Sequence, residues 1–249
     1  IGPFFLGSPL KIEMGIKLIP PSLDYPLGTD NFGRDMLSRV LTGGRYTLTI
    51  GILIVALAFV TGVFFGILAG FVGGMVDTII MRIVDAILSF PALVLAIALA
   101  AAFGPSLQNA MLAVAITMAP QFARVARSQA MAISARLYVE AAQSLGLPKA
   151  RILIHYILLN SIGPLLVQAS LNIGSAILQT SALGFLGIGA QPPMPEWGAD
   201  VSANLAYARS SPWTIFGPGF SILLTVLAFN LIGDALADWF NPKRRNQKR

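Results

Sequence analysis

Four stretches of this chain contain no Asp, Glu, Lys or Arg: Tyr46 to Val76, Ala86 to Ala123, Tyr156 to Pro195 and Ser210 to Gly233. A helix needs about 20 predominantly apolar residues to cross the hydrocarbon core of a bilayer. Each of the four stretches is that long or longer. Charged residues make up 11% of the 249 residues, against roughly a quarter in an ordinary soluble domain, and the mean hydropathy is +0.74. A soluble helical protein would need far more polar surface than these residues supply. The fold class is therefore all-α and polytopic, with the lipid bilayer as its solvent.

The apolar stretches predict five spans, at about 47–71, 88–103, 107–123, 161–186 and 213–231. Gly104-Pro105 inside "FGPSLQN" divides the second stretch into two short crossings, because this pair marks a turn. Gly62, Gly66 and Gly70 fall four apart in the first span, a small-residue stripe that lets a neighbouring helix approach closely. Basic residues crowd the neighbourhood of Arg124 to Arg151 and the tail from Lys243 to Arg249. The positive-inside rule places both in the cytoplasm, and the two spans between them agree with a shared side. Lys11, Lys17, Arg34, Arg39 and Arg45 in the N-terminal segment pull against this orientation.

Three regions follow. Residues 1–45 form an outward-facing segment, in which "IGPFFLGSP" reads as the tail of a missing first span and "GTDNFGRD" as a loop leading into an amphipathic helix capped by Asp30. Residues 46–242 are the transmembrane domain, with a cytoplasmic loop at 124–160, and residues 243–249 are a basic tail. The loop "QPPMPEWG" reads as a rigid outer loop, equally a contact for another protein or a simple helix connector, and Asp77, Arg82 and Asp85 read as braces of a cytoplasmic turn.

The polar stretch "VEAAQSLGLPKARILIHY", residues 139–156, stands between apolar runs and is rich in helix formers. Gly146 suits a C-cap, where a left-handed residue is needed, and Pro148 suits the first turn of a new helix. Two short helices at the membrane surface would make a rigid knob, which is a docking feature.

Several chemistries are excluded. There are no cysteines, hence no disulfides and no thiolate metal site. No Gly-Lys-Ser/Thr sequence occurs, so no phosphate-cradling loop is present. No HExxH or GxSxG motif is found, and His155 is the lone histidine. The sequence therefore offers no catalytic residue, no cofactor site and no metal site. The basic clusters lie beside apolar segments, where orientation in the membrane explains them better than nucleic acid does. The apolar spans hold no ionisable residues of the kind that mark ion and proton pathways, so energy for active transport would enter from outside, through the knob.

"EAAQSLG", Glu140 to Gly146, resembles the EAA-loop motif of the membrane subunits of bacterial and archaeal ABC importers. "PLGTDNFGRDMLSRVLTGGR", "AGFVGGMVDTIIMRIVDAILSFP", "ARLYVEAAQSLG", "QPPMPEWG" and "PGFSILLTVLAFNLIGDALADWFNP" resemble the C-type permease subunits of peptide, dipeptide and nickel importers. The likeness runs from about Leu27 to Pro242. It implies the type I importer transmembrane fold, with five visible spans of six. It also implies that Glu140, Ala141, Ala142 and Gly146 couple the pathway to an ATPase, the small alanines allowing close approach.

The implied partners are a homologous second permease subunit, two ATP-binding subunits that hydrolyse ATP, and an extracytoplasmic substrate-binding protein. The implied cargo is a peptide, with a nickel chelate or other small solute as the alternative within the family. A stand-alone channel or a membrane scaffold are the readings outside it. One departure is Leu159 in "ILLN", where the family pattern carries a proline; a straighter second loop helix is expected there.

Overall fold

A computed structural model describes residues 8–240 of the chain. Most of "IGPFFLGSP" and the basic tail fall outside this range, so those two expectations lie outside the described residues. The described part is helical. Strand pairing among these residues is limited to one isolated bridge between Thr29 and Asp35.

After a 3-10 turn at Met14–Ile16, α1 runs Met36–Val72, α2 Gly74–Leu88, α3 Ala92–Phe103 and α4 Leu107–Ser134. The short α5, Leu137–Ser144, and α6, Lys149–Arg151, form the polar stretch. A π-helix, Ile152–Leu158, leads into α7, Leu159–Phe185; α8 is Trp197–Asn204 and α9 is Trp213–Phe240. Helices Met36–Val72, Lys149–Phe185 and Trp213–Phe240 are long and apolar enough to cross a membrane, and the pair α2 and α3, bent by 91°, makes a fourth candidate. The third expected span lies on the first half of α4, whose Gln108, Asn109, Pro120 and Gln121 dilute its apolar character.

Three boundaries differ from expectation for physical reasons. The first apolar helix starts at Met36 rather than near Thr47, so residues 36–45 are its first turns and not a separate amphipathic helix. Its cap is Asp35, not Asp30. Asp35 Oδ1 accepts from the Leu37 amide at 3.0 Å and Oδ2 from the Ser38 amide at 3.1 Å, which satisfies donors that the first helical turn leaves unpaired. Asp30 instead closes the preceding loop, accepting from the Phe32 and Arg34 amides at 2.8 and 2.9 Å and from Arg34 Nε at 2.6 Å. The expected second span also starts later than Leu88: α2 ends there, and α3 begins only after Pro91 at the bend.

The contacts divide the chain into two units. One gathers residues up to Ile54 with Ala96–Val114 and Ile173–Ala228; the other holds Val55–Leu95, Ala115–Asn172 and the residues from Phe229 on.

In the second unit the glycine stripe is filled as its spacing predicts. A Cβ on Gly62 would lie 2.6 Å from Phe122 Cβ, and one on Gly66 would lie 2.8 Å from both Ala123 Cα and Ala126 Cβ. A Cβ on Gly70 would lie 2.9 Å from Ala130 Cβ. Only hydrogen at these positions lets α1 meet the alanine face of α4 at backbone distance. Phe59 meets Phe122 edge-on at 5.7 Å beside this seam, a geometry that aromatic quadrupoles favour.

Candidate coupling site

The polar stretch folds as a capped helix on a small apolar core. Val139, Ala142, Ile152 and Ile157 pack with Ile133, Ala126, Ala130, Val63, Ile67 and Leu165, and Leu147 leans on the same cluster. The end of α5 is a Schellman closure. The Gly146 amide donates to Gln143 O at 2.9 Å and the Leu147 amide donates to Ala142 O at 3.2 Å. This closure needs a left-handed residue at Gly146, and its φ is +76°. Nothing lies within 4 Å of the place a Gly146 side chain would take. Glycine is needed there for its backbone and not for room inside the chain.

The four expected coupling residues do not share one surface. Glu140, Ala141 and Gly146 are exposed, whereas Ala142 is 4% exposed and belongs to the core. A helix turns about 100° per residue, so one of two adjacent residues faces inward. The small size of Ala142 thus serves packing within the chain, and Ala141 is the alanine at the surface. Pro148 sits one residue earlier than expected, as the extended residue before α6, with φ −61° and ψ 137°.

Ion pairs tie α2 to α4 beside this loop. Arg127 Nη2 meets Asp77 Oδ2 at 2.6 Å, with a parallel contact from Nε to Oδ1, and Arg124 Nη2 meets Asp85 Oδ1 at 2.8 Å. The bidentate geometry of the Arg127 pair fixes orientation as well as charge. Asp77 and Asp85 are braces, as their placement in the sequence suggested. Their partners were not legible there, since they lie 50 and 39 residues away. Arg82 is exposed.

The first unit holds a second polar cluster, which the sequence did not announce. Arg39 is 2% exposed and Asp200 is 1% exposed; Arg39 Nε donates to Asp200 Oδ1 at 3.0 Å, reinforced by Nη2. Glu196 caps α8, accepting from the Gly198 amide at 3.0 Å and the Ala199 amide at 2.8 Å. Burial pushes its carboxyl above the ordinary range, against the two amides that favour the carboxylate. Burial also raises Asp200, against the attraction of Arg39. Trp197 Nε1 donates to Val40 O at 2.9 Å, and its ring lies on Gly43 and Gly44. "QPPMPEWG" is therefore pinned to the start of α1 by a buried network.

Residues 62–246 match the family described as binding-protein-dependent transport system inner membrane component. The chain belongs to this family.

Among curated members, the dipeptide transport system permease protein DppC of Alkalihalophilus pseudofirmus is 46% identical over 92% of this chain and 76% of its own length. The probable D,D-dipeptide transport system permease protein DdpC of Escherichia coli is 48% identical over 95% of this chain and 79% of its own length. The glutathione transport system permease protein GsiD of Pectobacterium atrosepticum is 42% identical over 91% and 75%. Among solved structures, a subunit of the inward-facing MetNI methionine ABC transporter aligns with a TM-score of 0.66 and 17% identity, over 83% of this chain and 98% of that one. At that identity the likeness concerns the fold, and it supports the type I importer architecture. The description of this family as inner membrane components agrees with the long apolar helices of this chain.

Proposed function

We propose that this chain is a transmembrane subunit of an ATP-driven peptide importer. It forms half of the translocation pathway beside a homologous second permease subunit, and an extracytoplasmic binding protein delivers the cargo. Two separate ATP-binding subunits hydrolyse ATP and push on the loop 124–160. Residues 46–242 are the membrane domain. The loop 124–160 and the tail 243–249 face the cytoplasm, while residues 1–45 and 191–212 face outward. Peptide cargo is inferred from relatives named for dipeptide and D,D-dipeptide transport.

The observation that carries the coupling role is the knob itself. A closed, core-mounted helix α5 presents Glu140, Ala141 and Gly146 at the surface. A helix anchored through Val139 and Ala142 transmits force, where a free linker would absorb it. Glu140 offers a carboxylate to a basic or backbone partner, and Ala141 lets that partner come close.

The test compares Gly146→Arg with Gln108→Arg, an exposed change in the first turn of α4. A left-handed arginine costs on the order of 1 kcal/mol in backbone strain, and its side chain fills the open space where a partner would sit. Gly146→Arg should assemble and lose peptide uptake; Gln108→Arg should keep it. Uptake by Gly146→Arg at the parental rate and equal membrane abundance would overturn the coupling role.

A further inference from the structure

The segment joining α6 to α7 is not α-helical. Residues 152–158 wind as a π-helix, and the Leu159 amide still donates to Ile154 O, five residues back. π-helices are rare, mostly single-turn, and concentrated at functional sites. The π winding ends beside Leu159, which stands in place of the proline, and Lys149–Phe185 is one continuous helical run.

The π winding has a consequence for packing. Ile152 is 1% exposed and Ile157 is 0% exposed, and both belong to the core that mounts α5. The i→i+5 winding of a π-helix keeps residues five apart on roughly the same side. In an α-helix they would point about 140° apart, and one of them would leave the core. Two side-chain donors finish the junction: Asn160 Nδ2 donates to Tyr156 O at 2.6 Å and Ser161 Oγ donates to Ile157 O at 2.7 Å. Tyr138 of α5 stacks on Tyr156 of the π segment, with ring centroids 6.2 Å apart. The coupling helix therefore grips the segment whose winding differs from its neighbours.

We propose that residues 152–158 are a register joint, whose exchange between π and α winding turns the first part of α7, residues 159–172, relative to α5. Movement of the loop reaches α7 through this change of winding rather than as a rigid push. The inference rests on the coupling role proposed above, and the experiment separates the two.

Deleting Ile154, an exposed residue between the two buried isoleucines, makes them four apart. An α-helix then keeps both on one face, so the core survives and only the π register is lost. The variant is assayed in the full importer complex in proteoliposomes, beside Gly146→Arg, for ATP hydrolysis and peptide uptake. The expected result is assembly with hydrolysis retained and uptake lowered roughly tenfold, within the usual size of coupling between sites. If the deletion variant transports like the parent while Gly146→Arg does not, the joint is overturned and the coupling role stands. If both transport like the parent, both fail. If the deletion variant does not assemble or does not hydrolyse ATP, hydrogen exchange of the parental complex decides. Protection at the amides of 152–158 that differs between nucleotide-free and ATP-trapped states supports the joint, and identical protection overturns it.

Discussion

Gly66→Ala adds one methyl group where the glycine seam is closed by the backbone of α4. That carbon would sit 2.8 Å from Ala123 Cα and 2.8 Å from Ala126 Cβ. Non-bonded carbons rest about 3.5–4.0 Å apart, so α1 and α4 must separate by roughly an ångström. Neither obstructing atom has a rotamer with which to yield. Overpacking of this kind costs about 1–3 kcal/mol, and the upper part of that range, about 2–3 kcal/mol, applies against backbone. Alanine also gains about 1 kcal/mol of helix propensity over glycine. The clash wins, and the net loss is about 1–2 kcal/mol.

Gly219→Ala is the matched control. Gly219 lies inside α9 with nothing within 4 Å of its absent side chain, so only the propensity gain of about 1 kcal/mol remains. For a chain of this size each kcal/mol moves the midpoint by about 2–4 °C. Thermal unfolding in one detergent should place Gly66→Ala roughly 2–8 °C below the parent and Gly219→Ala at or above it. A midpoint for Gly66→Ala equal to or above that of Gly219→Ala would refute the argument that this seam is closed at backbone distance.

The pH dependence should come from the first unit. Burial raises the Glu196 carboxyl, so the folded state holds its proton more tightly than the unfolded chain. Its destabilising effect is absent below the unfolded value and grows as pH rises through the folded one. Stability should therefore decline from the ordinary carboxylate range upward. Glu196→Gln, which cannot ionise, should flatten the dependence of melting midpoint on pH, and parallel curves for parent and variant would contradict this. Orientation can be read because the chain has no cysteine. Gln143→Cys should resist an impermeant thiol reagent in intact cells and react once the membrane is opened. Labelling from outside would reverse the proposed topology.

The helical membrane class was legible because solvation alone decides it. Long runs without charge cannot stay in water, and their lengths match the bilayer. The glycine stripe and Gly146 were legible for related reasons: each reports a local requirement, close helix approach in one case and a left-handed backbone in the other. What depends on distant partners was not. Asp30 and Asp35 are equally good caps as residue types, and the choice between them follows from where α1 begins. Arg39 finds Asp200 across 161 positions, and no periodicity encodes that pairing. Ala141 and Ala142 are identical in composition, and only the core beneath α5 decides which one turns outward. Residues 152–158 look like an ordinary helix in "ILIHYIL". They take the π winding with Ile152 and Ile157 both buried in one core, and packing can override local propensity because burying a large aliphatic side chain is worth about 1.5–3 kcal/mol, more than helix preferences differ among such residues.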